Sequence, residues 1–225
     1  MNKRTALVFG ATGLVGSFII SELLKLEIYN KVLIFSRRMF DLNHEKAEFV
    51  IDDLSAPENL KDRIKGDDVY CCLGTTIKKA GSQEAFKKVD LELPVKIAET
   101  ALMNNVENFA VISSIGADAK SRNFYLRTKG EMEQAVLKLK FEHLIIVRPS
   151  LLTGPRKQFR FGEIMAKVFM TVFNPVLLGK LRKYRSIKAQ TVARAMIGLT
   201  LIPRNKPVFE SDELETAAQN FVVKQ

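Results

Sequence analysis

A β-branched and apolar run, Thr5-Ala6-Leu7-Val8-Phe9, stops at Gly10, and two more glycines follow at three-residue intervals, Gly13 and Gly16. An apolar helical pattern begins at once. A strand that ends in a tight glycine turn and runs straight into a helix start has few folds open to it. The helix N-terminus presents free N–H groups and the positive end of its dipole, an arrangement that binds phosphates. In such a turn Gly10 lets the chain reverse, Gly13 lets a pyrophosphate approach the backbone, and Gly16 lets the helix pack on the strand. The segment Gly10-Ala11-Thr12-Gly13-Leu14-Val15-Gly16 therefore makes a dinucleotide the expected ligand. Its spacing is GxxGxxG rather than GxGxxG, so the strand before it and the helix after it are needed to support that ligand.

Strand and helix patterns alternate along the chain. Strands are predicted at Thr5–Phe9, Lys31–Ser36, Ala47–Ile51, Asp68–Leu73, Asn108–Ser113 and His143–Arg148, with a short seventh near Val208. Helical patterns lie at Leu14–Lys25, Ser82–Asn104, Tyr125–Leu139 and Thr191–Leu201. This alternation predicts an α/β fold, a doubly wound parallel sheet with helices on both faces. Right-handed crossovers give the Rossmann order 3-2-1-4-5-6, with the seventh strand added. The 225 residues, 47% of them apolar, suit one domain over 1–225.

No run of about twenty apolar residues predicts a membrane-spanning helix. The N-terminus enters the first strand directly, which leaves no room for a signal peptide. Cys71 and Cys72 are neighbours in a predicted strand, so they point to opposite faces and neither staple the fold nor form a metal site. A reducing cytoplasm is the expected compartment.

The net charge of +10 is concentrated. Between Arg156 and Lys188 stand nine basic residues, Arg156, Lys157, Arg160, Lys167, Lys180, Arg182, Lys183, Arg185 and Lys188, opposed only by Glu163. Such a run suits a phosphorylated cofactor, an anionic substrate or a lipid surface, or is a solvated face. No nucleic-acid motif accompanies it, so nucleic acid is not an expected partner. Phe161, Ile164, Met165, Val168, Phe169, Val172 and Phe173 recur at helical spacing before Asn174-Pro175. This stripe makes 150–190 an expected substrate-side lid or interface segment, compatible with a homodimer or with peripheral membrane contact.

In a dinucleotide fold, the residue ending the second strand reads the adenosine ribose, and an acid there selects NAD. Here the position is Ser36, followed by Arg37 and Arg38. No carboxylate blocks a 2′-phosphate, and two guanidiniums are available to grip one, so NADP(H) is the expected cofactor. Asp52-Asp53-Leu54 ends strand three, where an aspartate can meet the adenine amino group. Leu73-Gly74-Thr75-Thr76 ends strand four, where a glycine allows close approach of ribose and phosphate. Tyr125 and Lys129, four apart, share one helix face. A phenol is a poor acid–base at neutral pH, and a nearby ammonium favours the phenolate. The same lysine can hold the nicotinamide ribose. Eleven residues before Tyr125 stands Ser114, preceded by Ser113, at the end of strand five; a hydroxyl there can steady charge on a substrate oxygen.

Together, Gly10-Ala-Thr-Gly-Leu-Val-Gly16, Leu73-Gly74-Thr75-Thr76, Ser113-Ser114 and Tyr125-x-x-x-Lys129 resemble an atypical, epimerase-like short-chain dehydrogenase/reductase. Cys72-Leu73-Gly74-Thr75-Thr76, Asn123-Phe124 before Lys129-Gly130-Glu131, and Arg148-Pro149 are similar to the subgroup of a human Tat-interacting oxidoreductase and tumour suppressor. The resemblance implies that Tyr125 is the general acid in reduction and the base in oxidation. Lys129 tunes it and binds the ribose, and Ser114, with Ser113 as the fallback, positions the carbonyl. Pro149 and the residues after it, including Leu151, flank the nicotinamide. The family often carries an asparagine in helix four that holds a water of the proton relay; Asp90 stands there in this chain. The short Ser114-to-Tyr125 spacing implies a reduced substrate loop.

The expected activity is hydride transfer between NADP(H) and a small carbonyl or alcohol substrate. A second expectation is an NADP(H)-sensing interaction protein without turnover, which has no need of the Tyr125–Lys129 pair. Nucleotide-sugar epimerisation is a third, set against a chain that looks short for a sugar-binding domain.

Overall fold

The computed structural model describes residues 3–155, 177 and 179–223. Seven parallel strands form its main sheet: β1 (Arg4–Phe9), β2 (Tyr29–Ser36), β3 (Ala47–Ile51), β4 (Asp68–Cys71), β5 (Asn108–Ile112), β6 (His143–Arg148) and β9 (Val208–Glu210). Their order is β3-β2-β1-β4-β5-β6-β9, the expected order with the seventh strand beside the sixth. The period of two along β1 sets the layers. Ala6 and Val8 face one core with Ile34, Tyr70 and Ile145; Leu7 and Phe9 face the other with Phe35, Val69 and Phe109. Cys71 and Cys72 fall into different cores and are free thiols, as their adjacency predicts.

Three helices cover the first face: α1 (Leu14–Leu23), α6 (Ala189–Thr200) and α7 (Ser211–Val223). Val15, Ile19 and Leu23 of α1 pack with Val192 and Met196 of α6 and Leu214 and Phe221 of α7. Each large apolar side chain buried this way contributes about 1.5–3 kcal/mol. The polar seam between α1 and α6 is also closed: buried Glu22 accepts from Gln190 Nε2 at 2.9 Å and from Arg194 Nε at 3.2 Å. The other face carries α4 (Leu93–Met103) and α5 (Phe124–Lys138), through Ile97, Ala101, Met132 and Val136.

Two departures from the sequence expectation shape the site. The single helix expected over Ser82–Asn104 is instead α3 (Gln83–Lys87), a π turn (Lys88–Glu92) and α4. Pro94 explains the break. A proline lacks an N–H, and its ring clashes with the carbonyl four residues earlier, here Asp90. The wider π turn relieves the clash and carries Asp90 inward, where it is 1% exposed. Helix α7 was not expected. Its start is marked by Glu213, whose carboxylate reaches back to the Glu210 N–H at 3.0 Å, half of a capping box.

Beyond β6 the chain forms β7 (Leu152–Thr153), which pairs in parallel with β8 (Ile187–Lys188). Both ends of the expected lid or interface segment are thus laid side by side. Its Phe161–Phe173 stripe, and Arg156, Lys157, Arg160 and Lys167, lie outside the described residues.

At the N-terminal ends of the strands lies a buried polar network. Asp68, fully buried, accepts from Arg4 Nε at 2.8 Å, Arg4 Nη2 at 2.9 Å, Tyr29 OH at 2.6 Å and Asn108 Nδ2 at 2.8 Å. The chain of hydroxyls continues from Tyr29 to Tyr70 at 2.9 Å and from Tyr70 to Thr200 at 2.8 Å. Burial raises both phenols above their ordinary value, and the Asp68 charge adds to the rise. The unfolded phenols titrate near pH 10. Above that pH the unfolded chain sheds protons that the fold retains, so stability present below about pH 10 is lost as pH rises towards the folded values. The urea midpoint is expected to fall steeply above about pH 10. In Tyr70→Phe it should start lower, since two hydrogen bonds are gone, and fall with a shallower slope.

Candidate cofactor crevice and active site

The crevice lies at the carboxyl ends of the strands, where open α/β sheets take ligands. The turn after β1 is built by close approach. Gly10 has φ +81°, and a Cβ there would lie 2.5 Å from the Cys72 carbonyl oxygen. A Cβ at Gly16 would stand 2.2 Å from the Gly10 carbonyl oxygen, so α1 packs on the turn only because both residues lack one. Gly13 is the N-cap of α1 and donates to the Gly10 carbonyl at 2.9 Å. No side chain caps this helix start and no acid sits in its first turn. The donors of Leu14 and Val15 therefore begin a helix whose own first turn supplies no anion to its dipole.

Ser36 ends β2, buried, with its hydroxyl donating to the Arg38 carbonyl at 2.8 Å. That bond folds the chain so that Arg37 and Arg38 follow as exposed residues. Among the described residues neither guanidinium has a carboxylate partner. Past β3, Asp52 accepts from the Leu54 N–H at 2.6 Å and Asp53 from the Ser55 N–H at 2.8 Å. These two turns hold Leu54 at φ +62° with its side chain buried. The Ser55 N–H also holds the exposed Asp53 carboxyl below the usual carboxylate range.

Helix α5 is started by Asn123, whose side chain accepts from the Leu126 N–H at 3.1 Å. The loop from Ser114 to Asn123 lies against this helix at Gly130, where a Cβ would come 2.1 Å from the Ala119 nitrogen. Tyr125, half-buried, rests its ring on Phe86 with centroids 5.7 Å apart. One turn on, the Lys129 ammonium is 2.8 Å from Asp90 Oδ1 and 3.4 Å from the Ile112 carbonyl at the end of β5. Asp90 Oδ2 accepts from the Thr75 N–H at 2.8 Å. A Cβ on Gly74 would lie 3.4 Å from Asp90 Oδ1 and 3.9 Å from Lys129 Nζ. The structure thus gathers Lys129, Gly74, Thr75 and the end of β5 around Asp90. Sequence reasoning had placed Asp90 only as a substitute for a water-holding asparagine. Pro94, four residues on, is the signal that it turns inward.

Ser113 is 4% exposed and its hydroxyl has no hydrogen-bond partner among the described residues. Ser114 is half-exposed and donates weakly to the Ile115 carbonyl at 3.4 Å. No hydrogen bond joins the Tyr125 hydroxyl to Ser114 or Lys129 among the described residues. Catalytic hydrogen bonds often close only around substrate. The Pro149 carbonyl accepts from the Ile115 N–H at 3.0 Å, which brings the ends of β5 and β6 together. Arg148, held by Glu133 at 2.9 Å, ties that end to α5. The Leu151 carbonyl accepts from Ile187, and Ser150 Oγ donates to the Arg185 carbonyl. Burial pushes the Cys71 thiol up to about 12, so it is a neutral side chain beside Lys129 and not a nucleophile.

A glycine turn that any Cβ would fill, an uncapped helix start and an orphaned buried hydroxyl fit a dinucleotide lying across the strand ends. A separate groove of about 430 Å³ between α1 and the 40–44 loop shares Ala11 with this site but none of the expected catalytic residues.

The chain matches the family described as NAD(P)H-binding over residues 10–199. It is 35% identical over 173 residues to Protein HTATIP2 of Rattus norvegicus, covering 75% of this chain and 71% of that one. It is 36% identical over 156 residues to mitochondrial Protein FMP52 of Candida albicans, covering 67% and 68%. That name places the yeast relative in a compartment other than the cytoplasm expected from the sequence. Among solved structures, the UDP-N-acetylglucosamine 4-epimerase of Methanobrevibacter ruminantium superposes with TM-score 0.70 at 18% identity, over 94% of this chain and 77% of that one. Alfalfa vestitone reductase superposes with TM-score 0.65 at 20% identity, over 92% and 76%. No helix among the described residues is long and apolar enough to cross a membrane.

Proposed function

The chain belongs to the NAD(P)H-binding family, as an atypical short-chain dehydrogenase/reductase, and on that premise we propose that it is an NADP(H)-dependent oxidoreductase acting on a small carbonyl or alcohol. The observation that carries this proposal is the placement of Lys129: a buried ammonium, one turn from Tyr125, set between the ends of β4 and β5. A nucleotide-binding sensor has no use for a phenol aligned with such an ammonium.

In this account the α1 start, with Gly10–Gly16, receives the pyrophosphate. Arg37 and Arg38 grip the 2′-phosphate, Ser36 lines the ribose, and Asp53 and Leu54 border the adenine. Leu73, Gly74 and Thr75 lie under the second ribose, while Ser113, Pro149 and Leu151 border the nicotinamide. The nicotinamide, when bound, gives or takes the hydride. In reduction Tyr125 gives its hydroxyl proton to the substrate oxygen, and Ser114 Oγ donates a hydrogen bond to that oxygen as negative charge grows on it. Lys129 holds the ribose and steadies the tyrosinate left behind.

An anionic group on the substrate is supported by Arg185. Among the described residues its buried Nε has no hydrogen-bond partner, whereas its neighbours Arg182 and Lys183 are matched by Glu215 and Glu210 at 4.0 and 2.9 Å. The test is NADPH consumption with paired aldehydes and ketones, each as the neutral compound and as its carboxylate or phosphate analogue. Turnover of the anionic members is expected. NADPH binding without turnover of any pair would leave the sensor as the better account.

A further inference from the structure

Phe86 and Asp90 stand four residues apart on the segment entering the π turn, and Tyr125 and Lys129 stand four apart on α5. The structure sets these two pairs against each other, ring on ring and ammonium on carboxylate, at 5.7 Å between centroids and 2.8 Å between charges. Lys129 and Asp90 are 3% and 1% exposed as side chains. Removing two charges from water is costly unless each is matched, and here Asp90 Oδ1 is matched by the Lys129 ammonium as an ion pair while Oδ2 accepts from the Thr75 N–H.

We infer that Asp90 is a positioning residue of the cofactor site, which locks the Lys129 ammonium and the Thr75 strap into one buried unit and so aims the lysine at the nicotinamide-side ribose. This inference rests on the cofactor assignment proposed above. An ammonium has three N–H donors. The Ile112 carbonyl accepts one at 3.4 Å, and Asp90 Oδ1 lies 2.8 Å from the nitrogen as an ion pair, which leaves a donor for a ligand hydroxyl. Gly74 adds no side chain over the pair on the side of β4; a Cβ there would sit 3.4 Å from Asp90 Oδ1. The lysine is tied directly to protein by Asp90 and the Ile112 carbonyl. The π turn forced by Pro94 sets the depth of the carboxylate, so one proline, one glycine and one acid, all distant in sequence, act together on Lys129.

The test compares two ligands on the full chain: NADPH, and adenosine 2′,5′-bisphosphate, which has the adenosine half and no nicotinamide ribose. Asp90→Asn keeps an oxygen for the Thr75 N–H and loses the charge that aims Lys129. It is expected to weaken NADPH by about tenfold, the scale of one charged hydrogen bond, and to leave the bisphosphate within about twofold. In a Lys129→Met background the same change should have little further effect on NADPH, because Asp90 acts through Lys129. Asp90→Glu keeps the charge on a longer arm and should bind NADPH between wild type and Asp90→Asn; it carries the test if the asparagine variant does not fold. Equal weakening of both ligands, or unchanged NADPH affinity, would overturn the inference and leave the cofactor assignment standing. Failure of the wild-type chain to bind either ligand would overturn both.

Discussion

Tyr125→Phe is expected to bind NADPH as the wild type does and to lose carbonyl turnover by about a hundredfold or more, the usual scale of a positioned general acid. The ring should keep its place, because it packs against Phe86 with centroids 5.7 Å apart and no protein hydrogen bond to its hydroxyl is lost among the described residues. Only the proton donor disappears. Steady-state turnover, read beside a nucleotide titration, separates the two effects. The partner control is Gly13→Asp. A Cβ at Gly13 would lie 3.0 Å from the Gly10 carbonyl oxygen, and a carboxylate there would meet an incoming pyrophosphate at the helix start. It should abolish binding and turnover together. If Tyr125→Phe instead retains full turnover, Tyr125 is not the acid, and the mechanism proposed for this site is wrong.

Asp68→Ala is expected to cost about 3–5 kcal/mol of stability, the scale for breaking a buried ion pair from one side. Asp68 is fully buried and ends four hydrogen bonds from β1, β2 and β5. Alanine would leave the Arg4 guanidinium, which is 22% exposed, the Tyr29 hydroxyl and the Asn108 amide without their shared acceptor. Arg4 keeps Glu107 at 3.0 Å, and Tyr29 keeps the Tyr70 hydroxyl at 2.9 Å, so the loss should stay within that range. A urea midpoint measures it. Because the network lies at the end of the sheet opposite the crevice, NADPH affinity of the folded fraction should be unchanged. A loss below about 1 kcal/mol would show that Arg4 and Tyr29 find other partners.

The strands could be read from the sequence because a parallel sheet buries both strand faces. Val32-Leu33-Ile34-Phe35 and His143–Arg148 then appear as apolar runs, whichever side each residue faces. The glycine turn was equally visible, since close approach at Gly10 and Gly16 leaves no alternative residue. Other features depend on contacts between distant segments. The Asp68 network joins residues 4, 29, 68 and 108, none of which signals its partners locally. Asp90 is legible only as standing where the family carries a relay asparagine; Pro94 and the π turn place it beside Lys129. Helix α7 carries its own marks in Glu213 and the spacing of Leu214, Ala218 and Phe221, which lie directly behind the short strand at Val208.

The crevice above β1, β2 and β4 is proposed to bind NADP(H), read by the arginines that follow β2. Titration of the purified protein with NADPH and with NADH, followed by nicotinamide fluorescence and repeated on Arg37→Ala, tests it most directly. The account predicts tighter binding of NADPH than of NADH, with a loss of about tenfold or more for NADPH and little change for NADH when the guanidinium is removed. Equal affinity for the two nucleotides, unaltered by Arg37→Ala, would contradict it.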